Sequence, residues 1–358
     1  MLNNKSIIVT GSCGLVGSES VKFFCNKGFY VIGIDNNQRK KLFGSIADTT
    51  WQKKKLTTKY KNYKHYDCDI TNYKNIEKIF KRYRSRIKLI IHCAAQPSHD
   101  WAKSNPIIDF NINSIGTLNM LENFRKYVPS AKFILTSTNK VYGDTPNNLP
   151  LEEKKTRWEI SKKHHFYKGI SEKMSIDNST HSFFGVSKAY GDLVTQEYGK
   201  NYKLNTIIFR AGCITGANHS GAKLHGFLSY LVKACIKDKS YNLIGYKGKQ
   251  VRDNIHSFDL VNCFWEFFKK PKIRGEVYNI GGGRYSNCSI IEAIDYVEKK
   301  LKIKVKKRIT LKPRVGDHQW YISDNRKFKK HYPSWRQKYN TTKILDEIID
   351  FEINLNNK

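Results

Sequence analysis

The run SIIVTGSCGLVG, residues 6–17, constrains the fold of this chain more than any other stretch. Its first five residues are short and mainly apolar, the pattern of a strand buried in a parallel sheet. Gly11, Gly14 and Gly17 follow in a GxxGxxG spacing. SESVKFFCNKG then places apolar residues at helical intervals and ends on Gly28, and FYVIGID reads as a second strand ending in Asp35. Strand, glycine turn, helix and strand in this order predict a dinucleotide site. Gly11 permits the tight turn, Gly14 lets a pyrophosphate reach the backbone, and Gly17 lets helix and sheet pack closely. Asp35, eighteen residues after Gly17, stands where a carboxylate accepts hydrogen bonds from a ribose diol. That charge repels a 2′-phosphate and favours NAD over NADP, with Arg39 close by as a counterweight. A lone glycine triplet says little. Here its flanking elements and the acid agree.

Further strand–helix units follow. KHYDCDIT is expected to end a strand at Asp69–Ile70, KLIIHCAAQ to end one at Ala94 and Ala95, and KFILTSTNKVYGD to carry another. Small residues at strand ends let a flat cofactor lie along the carboxyl edge of an open sheet. The length of 358 residues allows one large α/β unit with a smaller second lobe. The expected fold class is therefore α/β: a Rossmann-type doubly wound parallel sheet with a smaller interleaved C-terminal substrate lobe. Residues 1–180 form its dinucleotide-binding part, completed by about 181–212 and 256–283. Residues 213–255 and 284–358 mainly form the substrate lobe. NCSIIEAIDYVEKKL reads as an amphipathic helix capped by Asn287 or Ser289, and TTKILDEIIDFEINLNNK as a final helix.

Charge needs weighing, because a net +33 attracts phosphate. The lysines are spread along the chain rather than gathered into an arm or stripe. They read as solvated surface with some pull on an anionic substrate, and no nucleic-acid partner is expected. The eight cysteines show neither CxxC spacing nor clustering, so they read as small buried hydrophobes and no metal site is expected. No stretch approaches ~20 uninterrupted apolar residues, and no signal-peptide pattern opens the chain. A cytoplasmic protein without a membrane partner is the expectation.

The motifs together resemble the extended short-chain dehydrogenase/reductase family, in particular its NAD-dependent nucleotide-sugar epimerases and dehydratases. TGSCGLVG, Asp69, HCAAQPSH at 92–99, NINSIGT at 111–117 and TSTNKVYGD at 136–144 carry the first half of the resemblance. FGVSK at 184–188, GKQVRDNIHSFDL at 248–260, YNIGGG at 278–283 and RVGD at 314–317 carry the second. GCITGANHSGAKLHGF and GYKGKQVRDNIHS look most like members acting at C2 of CDP-linked hexoses.

This resemblance implies NAD as cofactor and a nucleotide sugar, with a CDP-hexose favoured, as substrate. It assigns coenzyme contacts to Gly11, Ser12, Gly14, Leu15, Val16, Gly17, Asp35, Asn36, Arg39, Asp69, Ile70, Ala94 and Ala95. Gln96, Asn113, Thr136, Lys188 and Ala211 complete that set. Substrate contacts fall to Ser98, His99, Thr138, Asn139, Cys213, His225, Arg252, Arg314 and Asp317. Thr138 stands where the family bonds the reacting sugar oxygen, and Lys188 where a lysine bonds the nicotinamide ribose. Arg252 and Arg314 match arginines that grip the diphosphate, where a planar fork suits two phosphate oxygens. Relatives pair through the helices bearing Lys188 and Asn113, so a homodimer is implied.

Two departures narrow the chemistry. Asn139 and Lys140 stand where the dehydratases of the family carry an acidic pair, so elimination lacks its acid–base groups. Phe184 stands at the place of the catalytic tyrosine. Loss of a general base typically slows a reaction by ~10²–10⁴-fold. Three readings stay open: Lys188 acts through water and Thr138, another residue carries the proton, or the protein binds without epimerising. His99, His164, His165 and Tyr167 are the candidates for a proton carrier from elsewhere in the chain. A 4-epimerase or reductase of the same family is the rival within the enzyme class.

Overall fold

The computed structural model describes residues 5–217, 226–313 and 316–356. Seven parallel strands form its main sheet: β1 (Ser6–Thr10), β2 (Tyr30–Ile34), β3 (Tyr63–Tyr66), β4 (Ile87–His92), β5 (Lys132–Thr138), β6 (Asn205–Ala211) and β7 (Glu276–Ile280). Their order is β7-β6-β5-β4-β1-β2-β3. The order reverses between β1 and β4, and α1 (Leu15–Asn26) starts at that switch point. Open α/β sheets bind ligands at such a reversal.

Alternation along the strands explains why both faces of the sheet are covered. Ile7 and Val9 point to one side, where Val21, Phe24, Leu260 and Phe264 pack on them. Ile8, Ile32 and Ile90 point to the other, against Ile76, Phe80, Met120 and Phe124.

Two strand ends differ from the sequence expectation. β3 stops at Tyr66, short of Asp69–Ile70. Asp69 instead closes a local turn: its Oδ1 accepts from the Thr71 amide and hydroxyl, both at 2.8 Å. β4 stops at His92, short of Ala94 and Ala95. The Cys93 and Ala94 amides leave the ladder and donate to Thr10 Oγ1 at 3.2 and 3.1 Å.

Beyond the main sheet, strand Val251–His256 pairs in parallel with Cys213–Thr215 and Trp320–Tyr321, and antiparallel with Asn287–Ser289. Ser240–Ile244 pairs with Lys306–Thr310. Helices Phe227–Lys237, Ile290–Leu301 and Thr341–Asn356 share a core built on Leu231, Ile294, Val297 and Ile348. Ser289, rather than Asn287, caps the second of these through a capping box with Glu292. Tyr142, Ile160, Ile170 and Met174 pack with Val251, Trp320 and Tyr321. The polar stretch after β5 therefore joins this smaller core. Among the described residues, no helix is long and apolar enough to cross a membrane.

Candidate active site

One cavity of about 500 Å³ runs along the carboxyl edge of the main sheet. Gly11, Gly14, Leu15, Val16 and Gly17 line one end of it. Gly11 holds φ +63°, and a Cβ on Gly17 would meet Gly11 O at 2.0 Å. These contacts press the glycine turn onto α1. No side chain caps α1, whose N-cap is Gly14, and its first turn holds no acid. The open amides and the helix dipole therefore suit a pyrophosphate. Asp35 also lines the cavity, with Oδ2 accepting from the Cys13 amide at 2.9 Å and Oδ1 from the Asn37 amide at 2.8 Å. Burial, and then Asp35 itself, push the Cys13 thiol up to about 12, so the thiol stays neutral beside the carboxylate. Asn36, Arg39, Asp69, Ile70, Ala94 and Ala95 complete this end, and Asn36 Nδ2 holds Asp69 at 2.9 Å.

Thr136, Thr138, Phe184, Lys188 and Ala211 line the middle of the cavity. Phe184 and Lys188 lie one turn apart on α2 (Phe183–Lys200), both buried. Lys188 Nζ donates to Thr136 O at 2.9 Å. Burial lowers its ammonium to about 8, against the smaller opposing pull of Cys93, Asp192 and Asp109. Thr138 ends β5, where its Oγ1 accepts from the Lys140 amide at 3.2 Å. Phe184 presents a phenyl ring whose centroid lies 4.9 Å from that of His99.

His99, Asn139, Cys213, Arg252 and Asp317 line the remaining arm. Arg252 Nη2 donates to Asp317 Oδ1. Burial raises the Cys213 thiol to about 11, so it offers no thiolate. His225 and Arg314 lie outside the described residues.

Four expected contact residues stand behind this wall instead of in it. Ser12 Oγ accepts from Tyr63 OH at 3.0 Å. Asn113 exchanges hydrogen bonds with the Gln96 backbone and donates to Asp109 Oδ1 and Ser187 Oγ, both at 3.0 Å. Gln96 Nε2 donates to Asp109 Oδ1 at 2.6 Å, and Gln96 Oε1 accepts from the Ser98 amide. Buried Asp109 thus ties the loop after β4 to α2, and desolvation holds its carboxyl above the usual range.

Several lining residues were missed from sequence. Lys140 Nζ reaches Gly316 O at 2.8 Å, and burial lowers its ammonium to about 8. Phe227, Tyr230, Tyr241, Asn242, Ile244 and Gln250 close the far end of the arm. Only the asparagine–lysine pair after Thr138 carried a sequence signal, as a departure from the acidic pair of relatives.

A glycine turn with open helix amides at the switch point of a parallel sheet defines an α/β protein of the dinucleotide-binding class, with a second arm to its cavity lined by Arg252 and Asp317. The chain belongs to the NAD dependent epimerase/dehydratase family, whose pattern matches residues 7–281. NAD is the family's cofactor, and the Gly11–Gly17 turn with Asp35 fits it. The chain is similar to the CDP-paratose 2-epimerase of Salmonella typhi, 29% identical over 90% of this chain and 91% of that one. It is 27% identical to a putative UDP-glucose 4-epimerase of Methanocaldococcus jannaschii, over 87% of each chain. A UDP-glucose 4-epimerase structure from Thermotoga maritima superposes with a TM-score of 0.77 at 23% identity. That match covers 98% of this chain and 99% of that one.

Proposed function

We propose that this protein is an NAD-dependent nucleotide-sugar epimerase acting at C2 of a CDP-linked hexose. The observation that carries this reading is the continuity of the cavity from Asp35, past Lys188 and Thr138, to Arg252 and Asp317. The 29% identity to a CDP-paratose 2-epimerase supports the choice of sugar carbon and nucleotide. Asn139 and Lys140 offer no carboxylate for an elimination. Epimerisation asks only for reversible oxidation and a turn of the keto sugar.

In this reading the α1 amides hold the pyrophosphate and Asp35 the adenosine ribose. Bound NAD supplies a hydride acceptor that can return the hydride to the opposite face of the sugar. Lys188, protonated at neutral pH, bonds the nicotinamide ribose and stabilises negative charge developing on the sugar oxygen. Thr138 hydrogen-bonds that oxygen. Arg252, paired to Asp317, meets the diphosphate, while segments 213–255 and 284–358 form most of the nucleotide-sugar lobe. Phe184 occupies the place of the family's tyrosine and shapes the cavity without donating a proton.

Turnover of CDP-, UDP-, GDP- and dTDP-hexoses by the NAD-loaded protein tests this, with product analysed after reaction in D₂O. The expected result is a C2 epimer of a CDP-sugar without deuterium at that carbon. Solvent deuterium at C2 would mean enolisation and sink the hydride route. Phe184 also favours a second reading, a homologue that binds NAD and a nucleotide sugar without epimerising. Inertness of the wild type together with a large gain in Phe184→Tyr would select it.

The same reading includes a homodimer. Ile107, Ile108 and Phe110, together with Val186 and Leu193 on α2, form an exposed apolar face for a second copy. Phe110 and Tyr190 rings meet at 5.8 Å across it.

A further inference from the structure

Phe184 leaves the proposed epimerase without a phenol, and the surroundings of His99 show what can replace it. His99 lines the cavity together with Thr138, Phe184 and Lys188. Its ring meets the Phe184 ring edge-on at 4.9 Å, which puts an imidazole beside the place where a phenol would stand. Nδ1 lies 2.6 Å from Ser182 Oγ. That oxygen already accepts from the Gly185 amide at 3.1 Å as the N-cap of α2. The Ser182 hydroxyl can accept from Nδ1–H or donate to a bare Nδ1, so this contact holds the ring in place beside the cavity in either tautomer.

Other groups weighed from sequence are placed elsewhere. His164 and His165 stack on each other at 4.3 Å, outside the cavity wall. Tyr167 lies under the Arg284 guanidinium at 4.1 Å, also outside the wall. Lys140 is in the wall, but its ammonium is held by Gly316 O on the side of Asp317 and Arg252.

We propose that His99, held beside Phe184 by its hydrogen bond with Ser182, is the acid–base residue of the reaction, which rests on the epimerase reading above. As the sugar hydroxyl becomes a carbonyl, its O–H bond breaks and the proton moves to the His99 imidazole. The O–H electron pair closes the C=O bond as the carbon loses its hydride to NAD. Return of hydride and proton regenerates the alcohol, so no other co-reactant is needed. Charged or titratable groups facing this part of the cavity are Lys188 from α2, Lys140 from the turn after β5, Cys93 after β4, Cys213, Arg252, Asp317, and Asp100 beside His99. His318 lies close enough to His99 for the two charges to couple.

The test uses the full NAD-loaded chain as wild type, His99→Asn, His99→Gln, Lys140→Met, Phe184→Tyr and the double variant His99→Asn/Phe184→Tyr. Both His99 variants should lose ~10²–10⁴-fold in kcat. NAD occupancy and nucleotide-sugar affinity should change far less than kcat, the signature of an interaction made in the transition state. The wild-type rate should fall at acid pH with a limb between about pH 5 and 8. That limb should vanish in His99→Asn, and the double variant should recover turnover with a limb at higher pH. A ring held for packing alone gains nothing from a phenol at 184. In the apoprotein, the ¹⁵N imidazole signal absent from His99→Asn should titrate over the same range. A His99→Asn enzyme within a few-fold of wild type overturns the proposal, as does a His99 signal that never titrates. So does a loss confined to Lys140→Met. If the wild type epimerises and His99→Asn does too, only His99 falls; a wild type inert on every sugar brings down the epimerase reading with it.

Discussion

Asp192 and Arg210 form a bidentate ion pair behind the strand ends that carry Thr136 and Thr138. Arg210 Nε and Nη2 donate at 3.0 and 2.8 Å, and Ser137 Oγ donates to the same carboxylate at 2.7 Å. The Asp192 side chain has no exposure and that of Arg210 only 7%. Arg210 Nη1 also donates to Tyr142 OH at 3.1 Å, which donates to Asn279 Oδ1 at 2.8 Å. This network bolts β5, β6 and α2 together, and with them Thr138 and Lys188. Asp192→Ala strands a buried cation and is expected to destabilise by about 3–5 kcal/mol. Asp192→Leu/Arg210→Met should lose far less, because no charge is left unpaired. Urea unfolding of the three proteins decides it; equal losses in single and double variants would mean the pair is not coupled.

Gly14 and Gly17 look alike in the motif but answer different demands. A Cβ on Gly17 would meet Gly11 O at 2.0 Å and Gly11 C at 2.7 Å, both backbone atoms that cannot step aside. At Gly14 the nearest atom is Gly11 O at 3.3 Å, and Gly14 φ is −74°. Gly17→Ala should push α1 off the sheet, with an overpacking loss of about 1–3 kcal/mol or more, and reduce NAD binding severely. Gly14→Ala should fold nearly as well as wild type while losing NAD affinity, since its methyl group intrudes on the cavity. Thermal melts paired with NAD titration separate the two. Similar melting temperatures for both would contradict the geometry.

What was legible in the sequence follows from distance along the chain. The glycine turn, α1 and Asp35 lie within one local unit whose periodicities are written in adjacent residues. The final helix was legible for the same reason, and so was a cap at Asn287 or Ser289, of which the structure uses Ser289. The site's middle was legible through order alone, Thr138 before Phe184 and Lys188. Its partners were not: 83 residues separate His99 from Ser182, and 176 separate Lys140 from Gly316. Asp69 misled because an acid shortly after a strand suits the strand's end and a side-chain-closed turn equally well, and its bonds from Thr71 decide for the turn. Asn113 was legible as important, but its amide serves the loop after β4 from behind the wall.

Lys188 ties stability to pH with a definite sign. Burial holds its ammonium near 8 in the folded chain, while an unfolded lysine titrates near ~10.4. Below pH 8 both states are charged and the folded state bears the whole cost of burying the cation. Between about 8 and 10.4 the unfolded state binds the extra proton, so stability rises with pH on account of this residue. Lys188→Met removes the term. Its stability relative to wild type should therefore fall by about 2 kcal/mol between pH 7.5 and 10, two units at about 1.36 kcal/mol each with some relaxation. Urea midpoints of both proteins across that range provide the check, and parallel curves would refute it. The same variant should bind NAD more weakly and turn over slowly at every pH.

The proposed dimer rests on the apolar face of α2 and its neighbour. Ile107 is 75% exposed, Val186 53% and Leu193 46%, a costly display for a monomer in water. Ile107 lies on helix Pro106–Phe110, which runs on towards buried Asn113, while Val186 and Leu193 share α2 with Lys188. Pairing two copies on this face would bury all three side chains and brace the helices that carry the site. Leu193→Asp in either copy would place a carboxylate in an apolar contact against its twin. Sedimentation equilibrium should show a dimer for wild type and a monomer for Val186→Asp/Leu193→Asp. The monomer should keep its fold by circular dichroism, because neither side chain belongs to the protomer core. The proposed epimerase activity should fall with dissociation, and a variant that stays dimeric would place the contact on another surface.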